Sequence, residues 1–98
     1  MTHETNDMLA IVIEQADRLL EGEVTRERLI AFDRGEAQPA LWRSVEDIGL
    51  HLALVDESRG GAGLSPQHGL RVLRRAGYHT APVPLAETML ANWVWTAA

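Results

Sequence analysis

The chain has 98 residues, no cysteine, and a formal charge of −5 from 9 basic and 14 acidic side chains. That length suits one small domain. Disulfides and thiolate metal sites are excluded, and the acidic balance argues against sequence-independent nucleic-acid binding or docking on an anionic bilayer.

Met1 to Asp7 is polar and acidic where a secretory leader would be basic. No apolar run approaches the ~20 residues that cross a bilayer. A soluble, cytoplasmic protein is expected. Residues 1–5 read as a frayed terminus. From about Asn6 the apolar residues Leu9, Val12, Ile13, Ala16, Leu19 and Leu20 recur at three- and four-residue steps, which predicts an amphipathic helix ending near Gly22. Thr25 is suited to cap a short second helix with Leu29, Ile30 and Phe32 on its buried side and Gly35 at its end. Pro39 suits the first turn of a third helix, with Leu41, Trp42, Val45 and Ile48 inward and Gly49 closing it.

After Gly49 the pattern changes. Leu50, Leu52 and Leu54 alternate with His51, Ala53 and Val55, and period two predicts an extended connector. It runs into Gly60-Gly61-Ala62-Gly63, a sharp bend where glycine permits positive φ or close backbone approach. Ser65-Pro66 then opens a fourth helix as cap and first residue, with Leu70, Val72, Leu73 and Ala76 inward and Gly77 as the stop. Arg71, Arg74 and Arg75 crowd its last turn, where cations suit the helix dipole. Two prolines within three residues keep the 78–84 segment out of helix. A last helix starts near Pro84. From Leu85 to Trp95 only Glu87, Thr88 and Asn92 interrupt apolar residues, so it predicts a helix apolar nearly all round, one that needs cover from more polypeptide or a partner. The fold class is therefore all-α: a bundle of four to five helices, with an extended Gly-rich connector between the third and fourth.

Catalytic motifs are absent. Gly61-Ala62-Gly63 lacks the third glycine of a dinucleotide fingerprint, because Pro66 stands there, and no Gly-Lys-Ser/Thr follows as in a phosphate loop. Asp56 and Glu57 are adjacent carboxylates, which in a loop form a solvated edge or a cap. His3, His51, His68 and His79 show no metal-ligand spacing. Ser58 and Ser65 lie outside any nucleophile elbow. Trp42, Trp93 and Trp95 at helical spacing read as core, and the arginine trio reads as a solvated helix end. No catalytic, cofactor-binding or metal-ligating residue is assigned.

The run from Leu41-Trp42-Arg43 through Ile48-Gly49-Leu50, followed by Leu54-Val55-Asp56-Glu57 and Gly60-Gly61-Ala62-Gly63-Leu64-Ser65, resembles the amino-terminal helical domain of the acyl-CoA dehydrogenase family. There a Trp-containing helix, a Gly-Leu, a Val-Pro-Glu step and Gly-Gly-x-Gly-Leu precede a helix and a segment like Ala81-Pro82-Val83-Pro84. The resemblance covers most of this chain and the first part of a family member. This chain has Asp56 where the family usually has proline. The resemblance implies a helical domain that packs on a central β-domain and a carboxy-terminal helical domain. The complete enzyme would hold FAD and dehydrogenate an acyl-CoA, with the catalytic glutamate and most flavin contacts outside this stretch. For this chain it implies one wall of the acyl pocket, with Leu85, Met89 and Leu90 as candidate lining residues. Alone the chain is expected to bind no FAD and to be inactive. Two further readings are a stand-alone interaction module that forms a homo-oligomer or completes a partner subunit through residues 84–98, and an unrelated small acidic regulatory or ligand-binding bundle.

Overall fold

The computed structural model describes residues 2–81 and 83–97, with side-chain surroundings from Asp7 onward. Among the described residues five α-helices follow one another: α1 (Thr2–Glu23), α2 (Arg26–Asp33), α3 (Pro39–Asp47), α4 (Pro66–Tyr78) and α5 (Leu85–Ala97). Two short 3-10 turns, Leu50–Leu52 and Glu57–Arg59, lie between α3 and α4. No strand forms among the described residues. The all-helical reading holds.

Capping explains where the helices begin. Thr25 Oγ1 accepts from the Arg28 N–H at 3.2 Å, and Ser65 Oγ accepts from the His68 N–H at 3.2 Å. Each satisfies one of the donors that a first turn leaves free. Pro39 and Pro66 occupy first-turn positions, where a missing N–H costs nothing. The ends of α2 and α4 share one geometry. After α2, Gly35 sits at φ +84°, Gly35 N–H donates to Phe32 O at 2.9 Å, and Glu36 N–H donates to Ala31 O at 3.0 Å. After α4 the equivalent bonds run from Thr80 to Gly77 O at 3.0 Å and from Ala81 to Ala76 O at 3.1 Å. That is the Schellman closure, and its left-handed position is usually glycine. After α4 that position is held by Thr80, the one described non-glycine residue with positive φ (+53°). The expected stop, Gly77, lies inside the helix, and Tyr78 is helical too.

The core is continuous. Leu9, Val12, Ala16 and Leu20 of α1, Leu41 and Val45 of α3, Val72 and Ala76 of α4, and Leu85 and Met89 of α5 are all buried in it. The helix α1 packs chiefly on α4 and more lightly on α3, while α5 packs on the first 3-10 turn.

Several expectations are corrected. The connector is not extended. Successive i→i+3 bonds, Leu52 to Gly49 O at 3.0 Å, Ala53 to Leu50 O at 3.2 Å and Val55 to Leu52 O at 3.0 Å, wind it tightly. Its buried residues are Leu50, Ala53, Leu54 and Val55, which follows helical rather than alternate spacing. A run apolar at nearly every position carries no decisive period, so period two misled. The first helix begins at Thr2, so residues 2–5, expected to fray, are helical, and it ends at Glu23, one residue past Gly22; Met1 lies outside the described residues. Leu70 is exposed (64%), because the buried face of α4 is set by Gly69, Val72 and Ala76, and Leu70 points about 100° from Gly69. In α2 nothing is fully buried, and Ile30 and Phe32 are exposed. Those two lie about 200° apart on the helix, so both cannot face inward. The 78–84 segment is non-helical over 79–81 and 83–84, while Pro82 lies outside the described residues.

Candidate functional site

The helix α5 shows the clearest departure from the folding pattern of the rest. Its inward stripe starts apolar, with Leu85 and Met89 buried. It continues at helical spacing through Asn92 and Thr96, both polar and half-buried. Asn92 Nδ2 donates to His51 O at 3.4 Å, and Thr96 Oγ1 donates to Asn92 O at 2.8 Å. The outward stripe is apolar: Leu90 is 51% exposed, Val94 63% and Trp95 82%. Glu87 is the only ionisable side chain in the helix. In its last two turns, therefore, α5 carries polar groups toward its own bundle and hydrocarbon toward solvent. Of the three candidate lining residues, Leu85 and Met89 face the core and Leu90 faces outward.

A groove of about 720 Å³ opens between the end of α2, the end of α4 and the start of α5. Leu29, Leu73, Val83 and Leu85 give it an apolar floor, and Phe32 forms one wall. Asp33 and Glu87 are the charged residues lining it. A second hollow of about 550 Å³ between α1 and α3 is edged by Arg18, Glu23 and Asp47, charges of both signs.

Two features resolve into structure. Asp17 Oδ1 accepts from Arg75 Nε at 2.8 Å and lies 3.0 Å from His79 Nε2. The Tyr78 ring covers the Arg75 guanidinium at 4.5 Å and meets the His79 ring edge-on at 5.1 Å. The Arg75 hydrogen bond, reinforced by His79, holds the Asp17 carboxyl below its usual value, and Asp17 in turn raises Arg75. These bonds clasp the middle of α1 to the end of α4. Arg75, expected at a solvated helix end, is thus engaged, while Arg71 and Arg74 are exposed.

The glycine bend likewise spends its donors on itself. The N–H groups of Gly61, Ala62, Gly63 and Leu64 donate to Asp56 O (3.0 Å), Leu52 O (3.3 Å), Val55 O (2.8 Å) and Ala53 O (3.0 Å). A loop that cradles phosphate must present such donors outward. A Cβ built on Gly61 would collide with the Val55 carbonyl and sit 2.6 Å from Leu52 O, so close backbone packing is what demands glycine there. Among the described residues no three His, Asp or Glu side chains converge as metal ligands. His51 and His68 each bury Nδ1 without a hydrogen-bond partner in the structure, and His51 lies edge-on to Trp42 at 6.2 Å. The His3 side chain is outside the described residues.

Sequence reasoning missed the groove and the Asp17 clasp. The signal for the clasp was faint: an acidic residue on α1 and an arginine one helical turn before a histidine on α4. The groove had none, because it is made where two helix ends and a connector meet. No helix is long and apolar enough to cross a membrane among the described residues. Compared with known proteins, the chain matches no protein-family model, no curated protein and no solved structure.

Proposed function

We propose that the chain is a docking domain whose last helix lies against a larger body, and that this body is the remainder of an FAD-dependent acyl-CoA dehydrogenase. One observation carries the docking part: the outward apolar stripe Leu90, Val94 and Trp95 on a helix whose inward stripe turns polar. Contiguous exposed hydrocarbon of this kind marks interfaces. The enzyme class is supported by the Leu41–Ser65 sequence pattern, and by a helix α5 whose first turns join the core while its later turns stand free. In this reading the domain contributes interdomain packing and part of an acyl pocket wall near Leu85, Met89 and Leu90. Flavin and the catalytic base come from elsewhere.

The experiment has two arms. The purified chain mixed with FAD and an acyl-CoA is expected to leave the flavin spectrum unchanged, and bleaching would overturn the division of labour. In sedimentation, the chain is expected to self-associate weakly through the bare stripe, and a Leu90→Glu/Val94→Glu variant to be monomeric with an unchanged circular dichroism spectrum. A chain that stays monomeric at high concentration and binds no hydrophobic dye would overturn the docking face itself. Tight, saturable dimerisation would instead favour the stand-alone module, with a second copy as the natural occupant.

A further inference from the structure

We propose that the groove between α2, α4 and α5 binds a small apolar cation: an ammonium group carried on a hydrocarbon or aromatic body. The groove shares Leu85 with the acyl-wall reading but does not rest on it. The volume, about 720 Å³, lies within the range of small-molecule sites. The floor of Leu29, Leu73, Val83 and Leu85 offers hydrocarbon and no hydrogen-bonding side chain. Such a floor sets the body of the ligand, and the charge comes from the surroundings.

Four features give those surroundings a negative sign. Asp33 and Glu87 both line the groove, both are exposed, and neither makes an ion pair among the described residues. Two helices end there: Phe32 and Asp33 belong to the last turn of α2, and Ala76 and Gly77 to the last turn of α4. A helix C-terminus carries a partial negative charge that favours cations. The start of α5 opposes this with a partial positive charge, but Glu87 sits in that first turn and counters it. Arg34, Arg74 and Arg75 are close in sequence, yet no arginine or lysine lines the groove. Phe32, half exposed beside Asp33, adds to the lining an aromatic ring, a group that attracts ammonium ions. Thr80, which also lines the groove, is the threonine in the left-handed conformation. A β-branched residue in that region is a strained choice, and such strain concentrates at ligand clamps.

Hexyltrimethylammonium, hexanol and hexyl sulfate share one tail and differ in charge, so they separate the roles of floor and rim. Titration of the full isotope-labelled chain, followed by amide chemical shifts, is expected to move residues 29–33, 73–81 and 83–87. The ammonium is expected to bind about tenfold more tightly than hexanol, and the sulfate more weakly than either. An Asp33→Asn/Glu87→Gln variant should keep its circular dichroism spectrum, since both side chains are exposed, and bind the ammonium no better than hexanol. The proposal is overturned if ammonium and hexanol bind alike, if the variant keeps the preference, or if the shifts map to the outer stripe of α5. Equal binding of all three probes would leave a plain apolar wall of the kind an acyl chain needs. That result would remove the cation site without touching the flavoenzyme reading.

Discussion

Asp17 is a carboxylate asked to satisfy two partners, Arg75 and His79, from the far end of the sequence. Its bonds tie the middle of α1 to the end of α4 across separations of 58 and 62 residues. Because the folded state holds this carboxyl below its ordinary value of 3.8, folding favours the ionised form. The clasp therefore stabilises the protein fully above the unfolded-state value. Its contribution is lost as pH falls through the lower, folded-state value. Urea unfolding of the wild type and an Asp17→Asn variant over a pH series measures this. The wild type is expected to be more stable at neutral pH, and the two curves to converge in acid, below the ordinary aspartate range. Parallel curves would show that Asp17 contributes packing alone. Asp17 itself was readable only as a polar position on α1, since nothing in a linear sequence says which distant cation reaches it.

Among the elements, the Gly-rich bend and the helices around it divide the glycines into two kinds. Gly61 is pressed against the backbone of Val55 and Leu52, whereas Gly77, inside α4, has nothing within 4 Å of where a Cβ would stand. Gly61→Ala is expected to destabilise the fold by about 3 kcal/mol, because backbone rather than a yielding side chain must move. Gly77→Ala is expected to stabilise by about 0.5–1 kcal/mol through helix propensity. Thermal or denaturant unfolding of the two variants decides both, and equal effects would contradict the contact geometry. The caps at Thr25 and Ser65 and the prolines at 39 and 66 were legible because each acts within one turn of its own position. The winding of 50–55 was not, since Leu50, Ala53 and Leu54 reveal their spacing only once the core they enter is known. Thr80 was hidden for a related reason. Glycine advertises a left-handed position, while threonine takes one only because the Ala81 and Thr80 bonds to α4 hold it there.

The whole molecule measures 44 × 27 × 20 Å, so its thinnest direction admits two helix diameters. In a body two helices thick, each helix keeps one face toward solvent, and a sequence apolar all round cannot be satisfied. That much could be inferred from Leu85–Trp95 alone, and the exposed Leu90 and Val94 agree with it. The groove could not, since its acidic rim comes from Asp33 and Glu87, 54 positions apart in the numbering and joined only by the convergence of helix ends.

The bare indole of Trp95 has an optical consequence. Of the chain's three tryptophans only Trp95 is largely exposed, at 82%, while Trp93, at 37%, and Trp42 are mostly covered. Intrinsic emission thus combines one ring already in water with two that are partly sheltered. Denaturant should redden the spectrum only in part, as Trp42 and Trp93 emerge, while ellipticity collapses, and a move to the blue should report shelter of the terminal helix by another molecule. A red displacement as large as that of three fully buried indoles would mean that Trp95 too is screened in solution.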